Sequence, residues 1–190
     1  MSIEIKKEQI MTGKNKKIIA VFGSAAVVEG EEVYELARRC GRLLAESGYA
    51  VINGAYTGVM EAASKGAHEG NGYVMGVPLT AFKRDKTNDY IDELIWTHSY
   101  EERIITLVKK ADAYLIFKGG IGTLSELFFC WCMAQISYPH FKPLILVGPE
   151  WKEDIKFLAK HFIIPERDLV ILRYADTPED AIKLLNELSL

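Results

Sequence analysis

Excess positive charge, paired cysteines, long apolar runs and the usual nucleotide fingerprints are all scarce in this chain, and each scarcity removes a class of function. Lys and Arg number 23 against 26 Asp and Glu, a net charge of −3, so there is no electrostatic case for a nucleic-acid partner. The short basic run at Lys14, Lys16 and Lys17 reads as a solvated lead-in before the first strand. No apolar stretch approaches the ~20 residues of a membrane span, and residues 1–17 lack the apolar core of a secretion signal. No membrane partner and a cytoplasmic location are expected. The three cysteines, Cys40, Cys130 and Cys132, have no second pair and no histidines at ligand spacing, which argues against zinc and for buried thiols in a reducing compartment. His68, His98, His140 and His161 are scattered, and none stands beside a serine or cysteine in a nucleophile motif.

What is present alternates strand and helix. Apolar runs at Lys17–Phe22, Tyr49–Ile52, Tyr73–Val77, Ala113–Phe117 and Pro143–Val147 predict buried strands, with short strands near Glu93–Trp96 and at Leu169–Ile171. Helical periodicity covers Glu31–Ser47, Thr57–Glu69, Tyr100–Lys110, a long segment from Gly122 through Gln135, Trp151–His161 and Pro178–Leu188. The last of these is capped by Asp176 or Thr177 with Pro178 in its first turn. Residues 79–92 are polar and irregular and predict a surface loop, a candidate flap over a site. Continuous apolar strands between helices imply an α/β fold: a Rossmann-like, doubly wound parallel sheet with helices on both faces. With neither linker nor repeat, residues 1–190 read as one nucleotide-binding domain, of which 1–16 are a polar lead-in, burying roughly 70% of its unfolded surface.

Parallel sheets hold ligands at the carboxyl ends of their strands. Four turns fall there: Gly23-Ser24-Ala25, the stretch from Asn53 and Gly54 to Gly58, the region after Val77, and Gly119-Gly120-Ile121-Gly122. The last is the most informative. Its glycines let backbone bend tightly near a ligand, and the helix that follows directs free N–H groups and partial positive charge at the turn. Thr123 adds a hydroxyl, and Glu126, about one turn on, can face the same point. A phosphate-binding turn beside a carboxylate suggests chemistry on a phosphorylated small molecule. Strand one lacks G-x-G-x-x-G after it, strand two ends in Asn53 rather than an acidic residue, and the turn at Gly119 lacks Gly-Lys-Ser/Thr, so neither an ordinary dinucleotide site nor ATP hydrolysis is expected. Arg103, between apolar Ile104, Leu107 and Val108, lies near a buried face and offers a planar fork to phosphate or carboxylate. Its alternative is an ion pair with Glu101, Glu102 or Glu126. Glu61 reads either as a site carboxylate or as a first-turn residue favoured by the helix dipole.

The Gly119–Glu126 turn, the upstream Arg103 and the run from Asn53 through Met60 and Glu61 resemble the Lonely Guy family, phosphoribohydrolases that cleave the N-glycosidic bond of nucleoside 5′-monophosphates, including cytokinin ribotides. The resemblance spans residues 17 to about 151. It implies a catalytic pair of Arg103 and Glu126, a phosphate loop of Gly119, Gly120, Ile121, Gly122 and Thr123, and further binding contacts from Gly23, Ser24, Asn53, Gly54, Gly58, Met60 and Glu61, with a small-molecule nucleotide as ligand and neither metal nor cofactor. Lys118 stands where the family's motif has proline, Ile104 where an Arg-Lys pair would place lysine, and Asn53-Gly54-Ala55 where that turn is richer in glycine. The stretch from Gly58 to Ala67 resembles a sister group that includes molybdenum-cofactor carriers, so the alternative is a non-catalytic carrier or sensor of a phosphorylated, nucleotide-like ligand. The resemblance also implies a homodimer with sites near the interface. The long helix agrees: Leu127, Phe128, Phe129, Trp131, Cys132, Met133 and Ile136 are apolar over more than the single stripe a sheet covers.

Overall fold

Seven parallel strands form one sheet in the order β4-β3-β2-β1-β5-β6-β7, in a computed structural model that describes residues 16–81 and 86–188. The strands are β1 (Ile18–Phe22), β2 (Ala50–Asn53), β3 (Val74–Gly76), β4 (Glu93–Leu94), β5 (Ala113–Ile116), β6 (Leu144–Val147) and β7 (Leu172–Ala175). The helices are α1 (Glu32–Glu46), α2 (Val59–Glu69), α3 (Tyr100–Lys110), α4 (Ile121–Ile136), α5 (Trp151–His161), the single turn α6 (Glu166–Leu169) and α7 (Pro178–Glu187). The lead-in up to Asn15 and residues 82–85 of the loop expected as a flap lie outside the described residues.

Alternation along each strand sorts the core into two layers. Ile19, Val21, Val51, Leu115 and Ile145 face one side of the sheet, where α1, α2 and α7 cover them. Ala20, Phe22, Ile52, Ile116 and Leu146 face the other, under α3, α4 and α5. Both faces are therefore dry, which is why these strands read as unbroken apolar runs. The chain builds outward from β1 through β2, β3 and β4, then returns to pair β5 against the other edge of β1, with Ile19 opposite Ala113 and Phe22 opposite Ile116. That reversal leaves a crevice at the carboxyl ends of β1 and β5, the place where open α/β sheets take ligands.

The seventh strand differs from expectation. Leu169–Ile171 is not a strand: Leu169 closes the turn of α6, which begins after Pro165, and β7 runs over Leu172–Ala175. Val170 is exposed and Ile171 is buried before the strand begins. At the sheet edge only part of the strand is covered, so Arg173 and Tyr174 interrupt the apolar signal that marks the central strands. The cap of α7 resolves to Thr177, whose hydroxyl accepts from the Asp180 N–H while the Asp180 carboxylate accepts from the Thr177 N–H, a capping box. Cys40 and Cys130 are buried but Cys132 is exposed; two positions apart on α4, Cys130 and Cys132 face opposite sides. Helix α4 buries Leu127 and Trp131 yet leaves Phe128 at 42%, Met133 at 41% and Ile136 at 73% exposure. Its second apolar side is thus not covered by the described helices of its own chain. Among the described residues, no helix is long and apolar enough to cross a membrane.

Candidate active site

The crevice between β1 and β5 opens into a cavity of about 470 Å³, within the range of small-molecule sites. Backbone hydrogen bonds lock its rim together. The Ser24 N–H donates to the Lys118 carbonyl at 3.1 Å, tying the turn after β1 to the turn after β5. The Val59 N–H donates to the Ser24 carbonyl at 2.8 Å, and the Thr57 hydroxyl donates to the Ala25 carbonyl at 2.9 Å. Gly58 makes this last junction possible. It sits at φ +73°, and a side chain there would run into the Ser24 carbonyl oxygen.

The floor of the cavity is the start of α4. Gly120 precedes the helix without a side-chain cap, and its carbonyl accepts the first helical bond from Leu124. The N–H groups of Ile121, Gly122 and Thr123 therefore lack intrahelical acceptors. The side-chain positions of Gly120 and Gly122 open on empty space, whereas that of Gly119 is filled by Thr123 and the Ser24 backbone. Gly120, Ile121, Gly122 and Thr123 line the cavity, an arrangement suited to an anion. Glu126, half-buried on the next turn, lines it too. Burial pushes the Glu126 carboxyl up from its ordinary 4.5 to about 7, with the nearby Arg103 charge pulling partly the other way.

Arg103 comes from α3, whose start is fixed by Ser99: its hydroxyl accepts from the Glu102 N–H at 3.1 Å. Arg103 as a whole is only 6% exposed, and its guanidinium packs among three neighbours. It stacks over the Tyr56 ring with 5.5 Å to the centroid, lies 3.9 Å from the Met60 sulfur, and packs directly on Gly54, which has no side chain to displace it. Arg103 and Glu126, from different helices, thus meet at one cavity with Gly23, Ser24, Gly54 and Met60.

Four expected residues stand behind the wall. Asn53 is fully buried; its amide donates to the Met60 carbonyl and the Ser64 hydroxyl, and its oxygen accepts from the Ala55 N–H. It shapes the turn that carries Gly54. Gly58 and Gly119 act through backbone packing, and Glu61, in the first turn of α2, is half-buried outside the lining. Ile104 belongs to the core under the sheet, so the position beside Arg103 faces away from the cavity. Lys118 points outward, with its ammonium 4.0 Å from Glu150. The lining also includes Tyr56 and Thr57, within the expected turn from Asn53 to Gly58, and Tyr100, which belongs to none of the four expected turns. Tyr100 lies three residues before Arg103, one turn away on the same helix side, and that spacing was the available signal.

A doubly wound parallel sheet whose glycine turns share one crevice with Arg103 and Glu126 defines a Rossmann-like α/β protein with a cavity of small-molecule size at the carboxyl ends of its strands. Within that class the chain belongs to the SLOG cluster4 family, whose model matches residues 16–171. An uncharacterized protein of Archaeoglobus fulgidus is 42% identical over 97 residues, 51% of this chain and 63% of that protein, so the match spans less than two thirds of that relative. A Mycobacterium tuberculosis protein named cytokinin riboside 5′-monophosphate phosphoribohydrolase is 32% identical over 133 residues, 69% of this chain and 70% of the relative. Among solved structures, the molybdenum cofactor binding protein from Rippkaea orientalis superimposes with a TM-score of 0.74 at 25% identity, over 93% of this chain and 99% of that one.

Proposed function

We propose that the chain hydrolyses the N-glycosidic bond of a nucleoside 5′-monophosphate to free base and ribose 5-phosphate. The observation that carries this reading is the Glu126 carboxyl, placed one helical turn beyond an anion-binding backbone and beside Arg103 in a cavity of nucleotide size. The first-turn amides of α4 and the Thr123 hydroxyl hold the phosphate. That contact fixes the ribose over Glu126, so binding energy remote from the reacting bond orients it. The bond breaks with positive charge growing on the ribose ring, as in glycoside hydrolysis. Ionised Glu126 stabilises that charge and takes a proton from the water whose oxygen bonds to the anomeric carbon; that proton then passes to the departing base nitrogen, which keeps the electron pair of the broken bond, and the carboxylate is restored. Arg103 anchors the substrate and balances negative charge close to Glu126. The likeness to the mycobacterial relative named as a phosphoribohydrolase supports this reading.

A second reading is a carrier of a phosphorylated ligand, favoured by the likeness to the molybdenum cofactor binding protein. The two share the phosphate turn and part on turnover. Incubation with a panel of nucleoside 5′-monophosphates, with chromatography for released base, separates them. Release from at least one nucleotide, with the matching unphosphorylated nucleoside spared, is the expected result. Equal rates on nucleoside and nucleotide remove the phosphate turn from the mechanism. Tight ligand binding without release from any member favours the carrier.

We also propose that two copies pair through the outer side of α4. Phe128, Met133 and Ile136 on that side are exposed. Phe128 and Cys132 also flank an apolar groove of about 460 Å³ whose far wall is Leu158, Phe162 and Ile163. A two-fold contact is the commonest cover for such a surface. Light scattering at micromolar concentration should give about twice the 21.4 kDa chain mass; a monodisperse single-chain mass excludes the dimer there.

A further inference from the structure

Two tyrosines line the described wall of the cavity, and they differ in how their hydroxyls are held. The Tyr56 hydroxyl donates to the Leu79 carbonyl at 3.0 Å and accepts from the Leu79 N–H at 2.9 Å, so the backbone uses it in both directions. The Tyr100 hydroxyl is buried and has no hydrogen-bond partner among the described residues. Buried polar atoms are nearly always paired, and an orphan needs an explanation. Tyr100 opens α3 directly after Ser99; the Ser99 hydroxyl accepts from the Glu102 N–H, and the Glu102 carboxylate reaches back to the His98 N–H at 2.7 Å. The helix start is therefore held from both directions, and it presents Tyr100 on the same side as Arg103.

We propose that Tyr100 is a specificity-determining residue whose hydroxyl hydrogen-bonds a polar atom on the edge of the substrate's base. This rests on the nucleotide reading given above. The division of the cavity leads to the base rather than the sugar or phosphate. The amides of residues 121–123 take the phosphate, and Glu126 with Arg103 takes the ribose. The rest of the lining includes the Tyr56 ring, the Met60 side chain and the Tyr100 ring, with Val21 and Phe22 nearby, an apolar surface suited to a flat heterocycle. Tyr100 contributes to that wall, and its hydroxyl, buried and unpaired among the described residues, gains a partner when a base fills the cavity beside it. A hydroxyl both donates and accepts, so it can match a ring nitrogen, a carbonyl or an amino group, and a base with no polar atom at that position is disfavoured.

The test compares Tyr100→Phe with its parent, both in the full chain carrying Glu126→Gln so that nucleotide stays intact. Adenosine, guanosine, cytidine and uridine 5′-monophosphates and ribose 5-phosphate are titrated by calorimetry, and the unliganded proteins are melted. Tyr100→Phe should bind its best nucleotide about 10-fold more weakly, the weight of one hydrogen bond. Its affinity for ribose 5-phosphate should not change. The unliganded melting temperature should hold or rise, since an unpaired hydroxyl has been removed from the interior. Equal weakening toward nucleotide and ribose 5-phosphate would overturn the proposal by moving the contact to the sugar or phosphate. Unchanged nucleotide affinity would overturn it outright, as would a lower unliganded melting temperature, which would mean the hydroxyl already has a partner. If ribose 5-phosphate binds the parent and no nucleotide does, the nucleotide reading itself falls and takes the base contact with it; the other failures leave that reading standing.

Discussion

Glu126→Gln is expected to lower turnover on the best nucleotide by on the order of 100-fold or more, about 3 kcal/mol of barrier, and at the same time to stabilise the protein above neutral pH. Glutamine keeps the size and hydrogen-bonding reach of the side chain and removes the charge that the ribose cation needs. The gain in stability follows from linkage. Burial raises the Glu126 carboxyl from 4.5 to about 7 in the folded protein, so between those values the unfolded chain gives up a proton that the folded chain keeps. Stability therefore falls as pH climbs from about 4.5 to about 7, and the penalty is complete above that window. Glu126 retains some contact with solvent through the cavity, which places the penalty at about 1–3 kcal/mol. Thermal melts should show the variant ahead of the parent at pH 8 and level with it at pH 4. The ionised carboxylate is the working form, so kcat/KM of the parent should climb with pH through about 7, and the residual rate of the variant should lack that limb. Near-normal turnover, or an unshifted pH limb in the variant, removes Glu126 from the chemistry.

The same burial explains why much of the fold is legible in the sequence. Strands β1, β2, β5 and β6 are covered on both faces, and their unbroken apolar runs announce a parallel sheet. Helices α3 and α5 begin and end where their periodicity does, at Tyr100–Lys110 and Trp151–His161. Edge strand β7 hid because a half-covered strand admits Arg173 and Tyr174. The glycine turn before α4 was legible because strand, glycines and helix adjoin in the chain. Tyr100 is not, and Tyr56 is legible only as a member of the turn from Asn53 to Gly58. An aromatic residue in an amphipathic run looks alike whether it packs a core or walls a cavity, and only the positions of α2, α3 and α4 around one crevice tell the two apart. Asn53 erred the other way. Its place at a strand end suggested a ligand contact, but its three internal hydrogen bonds make it the brace of the Gly54 turn.

That brace sets up the sharpest test of Arg103. Gly54 is buried on the turn held by Asn53, and an added Cβ would overlap the Arg103 guanidinium and meet the Met60 sulfur at 2.8 Å. The obstruction is the far end of a long side chain rather than backbone, so Gly54→Ala should fold, with a change in melting temperature of a few degrees at most. The guanidinium, however, cannot stay over Tyr56. It must swing toward the cavity or away from Glu126, and a displacement of about 1 Å at a positioned group can cost on the order of 100-fold. Gly54→Ala is therefore expected to lower kcat/KM by about 100-fold. Because the effect runs through one side chain, the two changes should not add. In the Arg103→Ala background the overlap is gone, and Gly54→Ala should then cost less than about threefold. A full loss from Gly54→Ala in that background would show that the glycine serves the ligand directly, and that Arg103 is not what its missing side chain accommodates.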